Sequence, residues 1–323
     1  MRGVRSLGLV GLYVASQVVA LLLALPFRAA GYATNSNPGS PTAPLYLIVV
    51  IVAAPIGILF VARYRGGLAA IRWVILLGIG FSLLFTLSAA FSLLFPQVFL
   101  LPPAEAGTFV APAQILATSA AVLLLGALLL EPQWWIVDLV GFVAAGSLIA
   151  LFGISFSILP VIILLVALAI YDAIAVYGTK HMVSLAEAVT EMKLPILLVM
   201  PTDAAFDYTQ PAQKLSTQRA RPVEEREALF MGLGDVVFPG ILVVAAYAWL
   251  PTHAVLGGIG GNLLVALGAL AGSLLGYAAL MRLVSGGNPQ AGLPLLNGGA
   301  LAGYALSFLL VFHTLGFGLS AGL

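Results

Sequence analysis

The chain is a succession of long apolar stretches joined by short polar links, and that alternation leaves few folds open to it. An α-helix crosses a bilayer with about 20 mainly apolar residues. Nine stretches reach that length, near residues 6–26, 43–62, 73–95, 111–130, 133–152, 154–177, 231–250, 256–281 and 291–317. Most links carry Pro, Gly or Asn, as in Asn35-Ser36-Asn37-Pro38-Gly39 and Leu101-Pro102-Pro103-Ala104. Glu131-Pro132 alone separates the fourth and fifth stretches, which makes them a tight hairpin. Only 8% of residues are charged and 62% are hydrophobic, whereas a soluble domain carries about a quarter charged residues. Such a chain cannot cover itself with polar groups, so lipid is its solvent. The expectation is an all-α polytopic membrane protein with nine transmembrane helices. Arg2 and Arg5 precede the first stretch as a signal peptide's basic region would. That stretch exceeds the roughly 7–15 residues of a secretory apolar core, so it reads as a first membrane helix.

The basic residues orient the helices. With the N-terminus on one side and the chain alternating, twelve Lys and Arg residues fall on that side and Arg28 alone on the other. Positive residues mark the cytoplasmic face, so the N-terminus is expected inside and the C-terminus outside. Three parts follow: residues 1–178 with six helices, a cytoplasmic segment 179–230, and residues 231–323 with three more helices, all within one membrane domain. In the middle segment, Met182, Leu185, Val189 and Met192 recur at helical spacing and predict an amphipathic helix over 182–193. Residues 194–201 are apolar but too few to span, and suit the interface. The Arg and Glu residues of 219–227 read as a solvated charge run.

Cysteine is absent, so disulfide and thiolate chemistry is excluded. His181, His253 and His313 are scattered, no His-Glu-x-x-His pair occurs, and no metal or organic cofactor is expected. Net charge is +1, which gives no reason to expect nucleic acid as a partner.

Against this background two acids stand out: Asp172, in Tyr171-Asp172, and Asp235, in Gly232-Leu233-Gly234-Asp235. Ionisable groups inside a membrane are costly and mark working sites. Asp172 lies about five residues before the cytoplasmic end of the sixth span, ~8 Å inside the boundary. Asp235 enters from the same side to ~6–8 Å, so the two can share a level. Two carboxyls at one site cannot both ionise easily, and they hold a single proton between them. Gly232 and Gly234 clear side chains from beside Asp235, letting another backbone approach closely. Pro239 leaves the carbonyl of residue 235 without its helical partner, which loosens the helix around the acid. A third acid, Asp138, lies near the entrance of the fifth span, where wetting or a hydrogen bond accounts for it. Taken alone, paired intramembrane aspartates point to a proton- or cation-coupled transporter or leak channel ahead of a protease. A non-catalytic scaffold is a further reading.

At these residues the chain resembles the presenilin and signal peptide peptidase family of intramembrane aspartyl proteases, and in particular archaeal presenilin homologues. Tyr171-Asp172 and Gly232-Leu233-Gly234-Asp235 carry the resemblance, together with Gly292-Leu293-Pro294-Leu295-Leu296 at the start of the last span, where the family has Pro-Ala-Leu. Ala175-Val176, Lys180, Met182, Leu185 and Glu187 extend it. The resemblance implies an endopeptidase that hydrolyses peptide bonds of transmembrane segments. Asp172 and Asp235 would be its catalytic pair, with Tyr171, Gly232, Leu233, Gly234, Pro294, Leu295 and Leu296 in support. It implies single-span or signal-peptide-like substrates, the lipid bilayer as partner and a multi-pass position in the cell membrane. Leu295 departs from the family's alanine, and its bulk bears on how closely the last helix approaches the acids and on substrate fit. The transporter reading lacks an evident inverted repeat or paired broken helices. Gly268, Gly272 and Gly276, with Gly299 and Gly303, stand at four-residue spacing and predict close packing of the last two helices.

Overall fold

A computed structural model describes residues 2–61, 64, 66–94, 112–131, 133–179, 197–201, 228–252, 254–256, 258–284 and 290–319. The amphipathic segment 182–193, the charge run 219–227, His181 and His253 lie outside the described residues. Nine α-helices occur among the residues described: α1 (Arg2–Ala29), α2 (Leu45–Val61), α3 (Gly67–Leu94), α4 (Pro112–Leu130), α5 (Trp134–Ser155), α6 (Ile158–Ala173), α7 (Leu233–Trp249), α8 (Gly261–Val284) and α9 (Leu293–Phe312). Six helical segments are long and apolar enough to cross a membrane by length and composition. The apolar segments Leu45–Ala54, Gln114–Leu130 and Leu233–Trp249 are shorter.

Helix α5 lies between two clusters. One face packs on α1 and α7 in the main core, which α6, α8 and α9 complete around α7, and there Ile149, Ile154, Leu164, Val244 and Leu296 are fully buried. The other face joins α3 and α4 in a second cluster that includes Leu83, Val137 and Val140. Buried polar ties cross the main core. The Tyr13 hydroxyl of α1 donates to Ser273 Oγ of α8 at 2.8 Å. Asn297 Nδ2 of α9 donates to the Leu165 carbonyl of α6 at 3.0 Å. In an apolar medium each such group needs a partner, so these ties fix which helices meet. Arg28, the one basic residue expected on the far side, closes the end of α1 onto α7. Its Nη1 donates to the Ala248 carbonyl and its guanidinium lies 4.2 Å from the Trp249 ring centroid.

Helices α8 and α9 pack backbone to backbone, as the glycine spacing predicts. A Cβ at Gly272 would lie 2.8 Å from the Gly303 Cα and collide with the Gly299 carbonyl, and one at Gly276 would collide with the Leu295 carbonyl. Only hydrogen side chains allow this approach.

Two helix starts differ from the sequence reading. Residues 228–232, partly assigned to the seventh span, form β2 (Ala228–Gly232), which pairs antiparallel with β1 (Leu197–Pro201), from Leu197 opposite Gly232 to Pro201 opposite Ala228. Helix α7 therefore begins at Leu233, and Asp235 sits in its first turn. It lies nearer the helix end than a start at 231 implies. Likewise, β3 (Ala254–Leu256) and β4 (Ile259–Gly260) make a small hairpin before α8, with Gly258 at φ +87° in the turn. In both places an apolar run satisfies its backbone by strand pairing, which composition alone does not reveal.

Candidate active site

Asp172 is the penultimate residue of α6 and is 7% exposed. Beyond it the chain widens into a π-helical turn, Ile174–Thr179. Such widened turns are uncommon and often occur at functional sites. Asp235 is the third residue of α7, a position in the first turn that helix N-termini favour for acids.

What brings the two acids together is the N-terminus of α9. Its first amides lack helical partners. The Leu293 amide donates to Asp172 Oδ2 at 3.0 Å, so Asp172 caps a helix 121 residues away in sequence. The preceding residue, Gly292, lies against the other acid: a Cβ there would stand 3.2 Å from Asp235 Oδ1 and 3.4 Å from its Oδ2. One dipeptide thus touches both carboxyls. A helix N-terminus carries partial positive charge and free N–H groups, which suits it to oxygen-rich groups.

The π turn helps hold this dipeptide. The Tyr177 hydroxyl donates to Gln290 Oε1 at 2.9 Å and accepts from the Ala291 amide at 3.2 Å. Leu295 does not keep α9 away. Its carbonyl lies on Gly276 while its side chain packs, half-buried, against the main core. The glycine face of α8 takes up the α9 backbone at this position.

The remaining predicted residues divide. Tyr171 is half-buried beside Asp172. Gly232 lies against the acid, since a Cβ would stand 3.2 Å from Asp235 Oδ2. Gly234 instead faces the Phe238 ring, with its Cβ position 3.1 Å from Cε2. Leu233 opens α7, Pro294 stands in the first turn of α9, and Leu296 is fully buried. Pro239 is accommodated within a continuous α7. Just after the carbonyl that Pro239 frees, Gln17 Nε2 of α1 donates to the Val236 carbonyl at 3.0 Å. Among the described residues no three His, Asp or Glu side chains cluster as a metal site would require.

Tyr177, Gln290, Ala291 and Gln17 were not singled out from sequence. Tyr177 at a membrane boundary looks like any interfacial aromatic, and a backbone amide leaves no side-chain signal.

Apolar helices long enough to cross a membrane, with two carboxyls meeting at a third helix's N-terminus, place the chain among polytopic membrane proteins. Residues 10–313 match the family described as signal-peptide peptidase, presenilin aspartyl protease, and the chain belongs to that family. Two solved structures of a presenilin family intramembrane aspartate protease are similar to it. The first, from crystals in space group C222, shows 31% identity and a TM-score of 0.63 over 94% of this chain and 98% of that one. The second, in space group P2, shows 31% identity and a TM-score of 0.61 over 94% and 97%. No curated protein is significantly similar in sequence. By family and fold the protein is an aspartic endopeptidase of the intramembrane class.

Proposed function

We propose that the chain hydrolyses peptide bonds of membrane-spanning segments, with Asp172 and Asp235 as its catalytic pair and water as the nucleophile. The observation that carries this reading is the contact of both carboxyls with Gly292-Leu293. The pair works with one proton. The ionised acid takes a proton from water, whose oxygen attacks the scissile carbonyl carbon while the neutral acid protonates the carbonyl oxygen. The resulting diol returns a hydroxyl proton to one carboxylate. The amide nitrogen takes a proton from the other acid, the C–N bond breaks, and the pair again holds one proton. Its titration belongs to the two together.

A helical substrate hides its carbonyls in its own hydrogen bonds, so it must unwind before attack. The β1–β2 sheet leads directly into α7 and suits an extended segment added by strand pairing. Tyr171, Gly232, Leu233, Gly234, Pro294, Leu295 and Leu296 shape the site around the acids. All nine helices cross the cell membrane in this reading, with the N-terminus and segment 179–230 cytoplasmic and the C-terminus outside. Single-span proteins or signal-peptide-like segments are the substrates. Folded Asp172→Asn and Asp235→Asn variants are each expected to lose cleavage of a single-span reporter in proteoliposomes. Cleavage by either at the parental rate would exclude the pair. Ion flux in the same liposomes, lost with either acid, would favour a transporter.

A further inference from the structure

Asp138 stands in the second turn of α5, 4% exposed, and has no part in the chemistry above. Its Oδ1 accepts the Val199 amide of β1 at 2.7 Å, while Oδ2 has no hydrogen-bond partner among the described residues. A buried carboxyl is costly in an apolar core, where a leucine would pack more cheaply. Its placement therefore needs a reason.

The strand geometry supplies one. In an antiparallel ladder a residue's N–H and C=O face the same edge, and successive residues face opposite edges. Val199 donates to α5, so its backbone groups face away from β2. Leu198 and Met200 then bond toward Met231 and Leu229. The outer edge of β1 consists of Leu197, Val199 and Pro201. Asp138 takes the Val199 amide, Pro201 has none, and α5 packs along the strand. On β2 the same alternation turns Ala228, Phe230 and Gly232 to the opposite edge. Gly232 is the residue whose Cβ position lies 3.2 Å from Asp235 Oδ2.

We propose that Asp138 is a positioning residue for the peptide substrate. It seals the outer edge of β1 and fixes the sheet so that the partly exposed Phe230 and Gly232 form the pairing edge beside the acids. The inference rests on the endopeptidase reading and adds to it the device that sets where a substrate is cut. Pairing repeats every two residues, or ~7 Å along the strand. A sheet that shifts against α5 therefore presents a different peptide bond to the acids.

The test compares the parental chain with Asp138→Leu and Asp138→Asn, using a single-span reporter in proteoliposomes. Asparagine keeps an acceptor for Val199 and leucine does not. Asp138→Leu is expected to raise KM about fivefold, the loss of one net hydrogen bond, with little change in kcat and with cleavage spread over neighbouring bonds. Asp138→Asn should keep the parental KM and cleavage positions. Hydrogen exchange at the Val199 amide, measured without substrate, should lose protection in Asp138→Leu alone. An unchanged KM and cleavage pattern in Asp138→Leu, or unchanged Val199 protection, overturns the proposal. Should Asp138→Leu misfold, Val199→Pro removes the same bond from the strand side and should spread cleavage likewise. A parental pattern in Val199→Pro would overturn the clamp. Asp172→Asn assayed in parallel separates the two ideas: if it still cleaves at the parental rate, the catalytic-pair reading falls, while Val199 exchange continues to decide the clamp.

Discussion

Replacing Gly272 by alanine sets two opposing effects against each other at one position. Alanine is a better helix former than glycine by about 0.8–1.0 kcal/mol. That gain is available wherever the new methyl has room. At Gly298 in α9 it does: the residue is exposed and nothing lies within 4 Å of its Cβ position. At Gly272 the methyl would meet backbone, the Gly303 Cα at 2.8 Å and the Gly299 carbonyl closer still. Carbon contacts settle at about 3.5–4.0 Å, so α8 and α9 must separate by more than half an ångström, and no rotamer change can absorb that. Overpacking of this kind costs about 1–3 kcal/mol, and a backbone clash belongs at the upper end. The balance predicts Gly298→Ala neutral or stabilised by up to ~1 kcal/mol, and Gly272→Ala destabilised by ~1–2 kcal/mol. Thermal unfolding of both variants in one detergent should order them Gly298→Ala, parental, Gly272→Ala. A Gly272→Ala protein as stable as Gly298→Ala would refute the backbone-to-backbone seam.

Two further predictions concern the N-terminus of α9. Gly292 has φ −79° and ψ −46°, so alanine fits its backbone, but the methyl would press on Asp235 at 3.2 Å. Gly292→Ala should leave stability near parental and lower kcat on the reporter about tenfold, the effect of misplacing a reacting group by part of an ångström; an unchanged kcat would contradict the contact. Tyr177→Phe removes the hydroxyl that accepts the buried Ala291 amide. Because Tyr177 is itself largely exposed, the stability loss should stay near ~1 kcal/mol, with a several-fold fall in kcat and restored exchange at the Ala291 amide.

The helices were legible because length and hydropathy alone specify a span, and the α8–α9 seam because glycines at four-residue spacing share a face. Asp172 and Asp235 were legible as costly groups in an apolar run. The strands were not. Ala228–Phe230 reads as the end of the connecting segment and Met231-Gly232 as the opening of a helix, and the partner Leu197–Pro201 is too distant in sequence for local pattern to show the pairing. The meeting point of the acids was only half visible. Pro294 drew attention to the start of the last span, yet what meets the carboxyls there is a backbone amide and a glycine without a side chain. Asp138 could be read as hydrogen-bonded, but its partner belongs to a strand that local sequence did not announce.

The central claim is that Asp172 and Asp235 act as one unit. Its most direct test is the affinity of the parental chain, Asp172→Asn and Asp235→Asn for a hydroxyl-bearing mimic of the tetrahedral diol, with folding of each variant verified by its thermal transition. The account predicts saturable binding to the parental protein and its loss in each variant. Retained parental affinity in either folded variant would show that the acids do not share one site.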